Sequence, residues 1–300
     1  MNNASAFIRR DRVTRVLTED GNFRAAIVNA TATALTGQKN HKLDVYSGYF
    51  LAQGLAVVAA LASFLKGEER ISLQFDGNGA IRSMFVESLQ VGETRGYIRP
   101  ADYADKRAIG IPASAGLGTG TLKVSKILYN RYEPVTGIVP MYPESIAQTM
   151  AGYLANSEQI PSAVSIDVAL GDDGSTVFAG AMITQAMPGA NADDIHTVEE
   201  AIATMPRLSE LARSGTQADE ILRLALGRNF KTVGSSPVDF FCRCSVERFK
   251  TMLMAAGYDE IQSMRKQKQN ELVCQYCNKH YYLSERDFAE LLTLLKAQEN

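Results

Sequence analysis

No cysteine precedes Cys242 in this 300-residue chain, so a disulfide framework is excluded over most of the sequence. No segment reaches the ~20 apolar residues that a membrane-spanning helix needs. The most apolar stretch, 50–65 (FLAQGLAVVAALASFL), falls short of that length, includes Gln53 and is interrupted by Gly54. It reads as a buried core helix. An excess of charge is also missing. The net charge of −2 and the pI near 6.0 give no general attraction to nucleic acid or anionic lipid. Residues 1–12 carry three arginines and no apolar run, so no signal peptide is expected. The expected location is cytoplasmic, where cysteines are thiols or metal ligands. The glycines Gly116, Gly118 and Gly120 lie in GLGTG without a GK[ST] ending or a strand–loop–helix context, and read as a loop rather than a phosphate cradle.

What the chain does have is concentrated near its end. All four cysteines fall in its last fifth, as Cys242-Arg243-Cys244 and Cys274-Gln275-Tyr276-Cys277. Two short cysteine pairs at this spacing can deliver four thiolates to one tetrahedral Zn²⁺. Four sulfurs fill such a site, whereas catalytic zinc keeps a position open for water, so no hydrolytic centre and no catalytic residue is expected. The same thiols can oxidise to disulfides, and a disulfide sulfur is no longer a thiolate ligand. Two readings follow: a structural zinc module, or a zinc site that also senses redox state. His280 lies three residues beyond Cys277 and is a spare donor, but four cysteines already suffice. His41 and His196 have no ligand-like neighbours. A thioredoxin-type CxxC normally opens a helix of an α/β fold, whereas this one falls in a turn beside a second pair.

The composition is globular, with 46% apolar and 21% charged residues. Residues 1–187 read as an α+β domain with a mainly antiparallel sheet. A helix is expected over 42–66, and hairpins over 71–87 (around Asp76-Gly77-Asn78-Gly79) and 163–184 (around Asp172-Asp173-Gly174). A further strand is expected at 121–128 and a short helix at 145–155. Over 188–237 strand patterns vanish and short helical pieces appear at 198–205, 208–213 and 218–226, ending in a loop signal at 233–237. This segment reads as a helical, metastable linker whose apolar positions, Leu222 among them, need a surface to pack on.

Residues 238–300 read as a small zinc-binding domain. Ser245 caps one helix, 271–283 form a hairpin with the CxxC at its turn, and Ser284-x-x-Asp287 caps the last helix. A domain this small commonly needs a staple. It holds nine Lys/Arg and nine Asp/Glu. The basic run Arg265-Lys266-Gln267-Lys268 reads as a solvated helix end, not a phosphate track.

The string Phe241-Cys242-Arg243-Cys244-Ser245-Val246-Glu247-Arg248, followed by Val273-Cys274-Gln275-Tyr276-Cys277 and Tyr281, resembles the redox-regulated heat-shock chaperone of about 33 kDa, a bacterial holdase family. Asn22-Phe23-Arg24, Leu65-Lys66-Gly67-Glu68, Gly92-x-x-Arg95-Gly96-Tyr97, Tyr153 with Ser157-Glu158-Gln159-Ile160-Pro161, and Pro188-Gly189-Ala190 extend the resemblance through most of the chain. It departs from the family at Ala179-Gly180-Ala181, where a paired glycine is expected, at Tyr132-Glu133-Pro134-Val135-Thr136-Gly137, and in having no tryptophan.

The resemblance implies an ATP-independent holdase without catalytic turnover, inactive while reduced and zinc-bound. Oxidation to two disulfides, Cys242 with Cys244 and Cys274 with Cys277, would release zinc and unfold the zinc domain and linker. The implied partners are unfolding client proteins, a second copy in an oxidised homodimer, and downstream foldases, with no nucleic acid and no membrane. The residues themselves leave three disulfide connectivities open. The alternative is a constitutive zinc-module protein that binds nucleic acid or a protein partner.

Overall fold

A computed structural model describes residues 10–100, 116–129, 131–143 and 145–298. The chain divides into two units, Met1–Phe241 and Cys242–Asn300. The division falls slightly beyond the 237/238 boundary read from the sequence. Val238 is only 1% exposed within the first core, and Asp239–Phe240 pairs with Glu93–Thr94.

The first unit contains two sheets. One has five strands in the order β10 (Phe230–Pro237), β1 (Arg12–Thr18), β2 (Phe23–Asn29), β9 (Thr176–Ala186), β8 (Ser162–Leu170). The other has six, in the order β11 (Asp239–Phe240), β5 (Glu93–Pro100), β4 (Ile81–Leu89), β3 (Arg70–Gly77), β6 (Gly120–Ile127), β7 (Val135–Pro140). Every pairing is antiparallel except β11 with β5. Both expected hairpins form, as β3–β4 and β8–β9, because two-period apolar runs flank glycine-containing turns that reverse the chain sharply. The GLGTG segment is a loop that closes the first hairpin. Gly79 N–H donates to Leu117 O and Ile81 N–H to Gly116 O.

After α1 (Thr31–Asn40), helix α2 (Val45–Ala62) packs against strands of both sheets. A helix apolar on every side is stable only when buried all round. Leu51, Leu55, Ala56, Val57, Val58 and Ala60 are fully buried. Asp44 caps its start, accepting from Ser47 N–H at 2.9 Å, and Arg15 Nη1 donates to Ser63 O at 2.7 Å just past its end. Gly54 faces β4 so closely that a Cβ there would lie 2.9 Å from Met84 Sδ. At 18 residues, longer on its apolar side than the 50–65 stretch suggested, this helix passes for a membrane span by length and composition alone, but 78% of its apolar window is buried inside the protein, as expected of a core helix.

Helix α3 (Ile146–Asn156) forms where a short helix is expected, and Ser145 caps it, its Oγ accepting from Gln148 N–H. The helices α4 (Ala192–Thr204), α5 (Leu208–Arg213) and α6 (Ala218–Leu226) cover the outer face of the five-stranded sheet. Val198, Leu208, Ile221, Leu222, Ala225 and Leu226 form one buried cluster with Phe23, Ile27, Phe178 and Met182. The opposite side chains of β2 and β9, Ala26, Val28, Ala181 and Ile183, enter the core around α2. Arg228 follows α6 and clasps two elements at once. Its Nη1 reaches Asp20 at 2.8 Å and its Nη2 reaches Asp194 at 2.9 Å, while its guanidinium lies 4.9 Å from the centre of the Phe23 ring. The loop expected over 233–237 is instead strand β10. Backbone pairing to β1 orders it although its side chains are mostly exposed, so no apolar alternation marks it in the sequence.

The second unit is built from α7 (Val246–Leu253), a 3₁₀ turn (Met254–Ala256), α8 (Tyr258–Lys266), the hairpin β12 (Glu271–Val273) and β13 (His280–Tyr282), and α9 (Glu285–Gln298). Both expected caps are present. Ser245 Oγ accepts from Arg248 N–H, and Ser284 and Asp287 exchange bonds at the start of α9. Those serine bonds, with Lys250 nearby, hold the Asp287 carboxyl down at about 2. The buried core is small: Ile261, Leu283, Phe288, Leu291, Leu292 and Leu295.

Truncating Leu222 to alanine removes a fully buried side chain from the interface between helices and sheet. It is expected to cost ~2–5 kcal/mol in urea unfolding of the reduced protein. Leu224→Ala, at a side chain 52% exposed on the same helix, is expected to stay within ~0.5 kcal/mol. Equal losses at the two positions would contradict this packing.

Candidate metal centre

Four side chains converge at one end of the second unit. Cys242 and Cys244 lie on the extended segment before α7, whose start Ser245 fixes. Cys274 and Cys277 lie on the turn between β12 and β13. That turn is closed by Cys274 N–H to Lys279 O at 2.9 Å and Asn278 N–H to Cys274 O at 2.7 Å. Asn278 takes a left-handed backbone with φ +57°, which the tight reversal demands.

The four sulfur atoms all lie within 4.8 Å of one another. Cys242 Sγ is 3.7 Å from Cys274 Sγ, and Cys244 Sγ is 3.4 Å from Cys277 Sγ. A tetrahedron of sulfurs with ~2.3 Å bonds to a central zinc has edges of ~3.8 Å, so the donors stand close to the spacing such an ion requires. All four are thiols rather than disulfides; Cys274 is 4% exposed and the other three are half-buried.

The electrostatics favour a cation. The hydrogen bond with Cys242, with burial second, raises the Cys274 thiol far above its ordinary range. Burial pushes the Cys277 thiol up to about 11. Sulfurs this close repel one another as thiolates, which adds to the rise at Cys274 and Cys277. Backbone amides nevertheless point at the sulfurs: those of Tyr276 and Cys277 at Cys274, and that of Lys279 at Cys277. These amides stabilise negative sulfur. A soft divalent cation placed among the four would release the protons and use that preorganisation.

The histidines stand apart. His280 Nδ1 pairs with Glu271 Oε1 at 2.7 Å, and Tyr282 OH donates to the same oxygen at 2.9 Å, so the ring braces the hairpin. His196 pairs with Glu200 one turn along α4. Arg265 and Lys266 end α8 and Arg265 pairs with Glu285, in agreement with a solvated helix end. Sequence reasoning missed the hydroxyl of Tyr281, which donates to Cys244 O at 2.9 Å and lies 3.2 Å from Cys244 Sγ. A tyrosine four residues past a CxxC carries no spacing signal for a contact with the other pair.

Comparison with known proteins agrees with this architecture. A family model described as Hsp33 protein matches residues 11–284, a span that includes all four cysteines. The 33 kDa chaperonin of Desulforamulus reducens is 33% identical over 298 residues, covering 97% of this chain and 100% of that protein. That of Lactiplantibacillus plantarum is 34% identical over 282 residues, covering 91% and 94%. The crystal structure of the 33 kDa chaperonin of Thermotoga maritima is similar with a TM-score of 0.85 at 27% identity, covering 97% of this chain and 100% of that one. With the likeness running through both units and through the sulfur cluster, the chain belongs to the Hsp33 family of 33 kDa chaperonins.

Proposed function

We propose that this chain is a zinc-dependent, redox-switched holdase that works without ATP and without catalytic turnover in the cytoplasm. Cys242, Cys244, Cys274 and Cys277 are both the zinc ligands and the switch. The observation that carries the reading is the convergence of all four thiols in a unit with so small a core of its own. Zinc, when bound, would neutralise the thiolates and cross-link the segment before α7 to the β12–β13 turn. Structural zinc in small modules contributes on the order of 10 kcal/mol to folding, more than a unit of this size draws from apolar burial.

Oxidation removes that support. Two thiols and one hydrogen peroxide give one disulfide and two waters, and each such step takes two sulfurs out of ligation. The proposed pairs are Cys242 with Cys244 and Cys274 with Cys277, as the family resemblance implies. Unfolding of residues 238–300 frees the end of the segment 188–237, which we take to be the metastable linker. Its helices bury Ile221, Leu222 and Leu226 against Phe23, Phe178 and Met182. Their release exposes apolar surface on both sides, which would hold unfolding client proteins, favour a homodimer, and keep clients available to foldases. The equal numbers of acidic and basic residues beyond 237 speak against the rival reading of a constitutive nucleic-acid module.

The test follows zinc release with a chromophoric chelator while peroxide is added and a heat-unfolding client scatters light. Zinc release in step with suppressed aggregation is the expected result. Zinc retained, or released without protection, would overturn the redox-switched holdase. Peptide mapping of the oxidised protein distinguishes the three pairings. Metal content provides a second check. Cys277→Ser is expected to lower it, whereas His280→Gln leaves it unchanged, because that ring is engaged by Glu271. Chelation of the reduced protein is expected to remove helical signal from α7–α9 while hydrogen exchange across β2 and β9 stays slow. Loss of protection in those strands would contradict a zinc-dependent fold confined to the second unit.

A further inference from the structure

Tyr281 sits on β13 opposite Leu272. Its ring is held by Phe249, with centroids 5.5 Å apart, and by Lys279, whose Nζ lies 5.1 Å from the ring centre. This places the phenolic oxygen against two groups of one residue: it donates to Cys244 O at 2.9 Å and lies 3.2 Å from Cys244 Sγ, a contact in which either atom can be the donor. The sulfurs of Cys274 and Cys277 receive backbone amides from their own turn, which no single side-chain change removes. Cys244 differs in being gripped by a side chain.

We propose that the Tyr281 hydroxyl is a positioning donor that restrains the reactivity of Cys244, pinning the residue at its carbonyl and sulfur and lowering the sulfur's nucleophilicity without ligating metal. The inference rests on the reading of Cys244 as a metal-bound thiolate of the switch. A ligated sulfur has no proton to give, so the phenol supplies the only hydrogen between the two groups. Hydrogen bonds to ligating sulfur draw electron density from it, and a nucleophile that must give up such a bond attacks more slowly. In oxidation by hydrogen peroxide, the Cys244 sulfur forms an S–O bond as the O–O bond breaks and hydroxide leaves. A second thiolate then forms the S–S bond as the S–O bond breaks and a second hydroxide leaves. Two electrons pass from the sulfur pair to the peroxide. The phenol opposes the first of these steps, because the lone pair it engages is the one that attacks.

The test uses the full-length, reduced, zinc-loaded protein. Tyr281→Phe keeps the ring and its packing and removes the hydroxyl. Alkylation by iodoacetamide, read at each cysteine by peptide mass spectrometry, is expected to become about three- to tenfold faster at Cys244, the scale of losing one hydrogen bond to a charged sulfur. The other three cysteines are expected to change by less than about twofold, a selectivity that loosened structure would not produce. An unchanged rate at Cys244, or an equal rise at all four, would overturn the proposal. Should Tyr281→Phe fail to load zinc, Tyr281→3-fluorotyrosine preserves the shape and strengthens the donor. Slower alkylation at Cys244 is then expected, and no slowing rejects the idea. Alkylation needs no peroxide, so a wild-type protein that keeps its zinc under oxidant defeats the redox reading while this comparison still decides on Tyr281.

Discussion

Four sulfur atoms within 4.8 Å of one another cannot all be negative unless a cation sits among them. On the proposed function, the order of the second unit depends on that constraint. Its remaining support is one cluster of six buried side chains, two capped helices and surface ion pairs such as Arg265 with Glu285. Exposed ion pairs of that kind contribute little. With zinc bound as proposed, a unit of this size would have its stability concentrated at a single chemical point, and chemistry at sulfur would reach the whole unit.

The first unit is arranged on the opposite principle. Helix α2 touches both sheets, so no one contact decides its fate. Only its outer layer is lightly held. The helices α4–α6 are short, and each depends on apolar contacts to one sheet face, with Arg228 as a clasp between Asp20 and Asp194. Short helices are marginal without such contacts. Robust centre and weakly held cover thus lie on opposite faces of the five-stranded sheet.

Much of this was legible in the chain. The cysteine spacing pointed to the sulfur cluster, and the turn glycines with flanking β-branched runs located two hairpins. Ser145, Ser245 and Ser284 marked helix starts that the structure retains. Other elements left no local trace. Strand β2 is buried on both faces, so its run Ala25-Ala26-Ile27-Val28 shows no alternation and is not separable from a helix by pattern alone. Strand β10 is the reverse case, polar and glycine-containing, ordered only by a partner strand close to the start of the chain. Separation in sequence also hid the contacts of Arg228 with Asp20 and of Tyr281 with Cys244. Periodicity reports which face of an element is buried, and it carries no information about which remote backbone or side chain lies alongside.

The position of β10 at the rim of its sheet has a further consequence. While it is paired, β1 is an interior strand, with β2 on one side and β10 on the other. Removal of residues 230–237 would turn β1 into an open edge, its amide and carbonyl groups facing outward along Arg12–Thr18. An open edge accepts any extended chain through main-chain hydrogen bonds, whatever side chains that chain carries. Recognition of that sort reads the conformation of a peptide rather than its sequence, and an unfolded polypeptide is defined by its conformation.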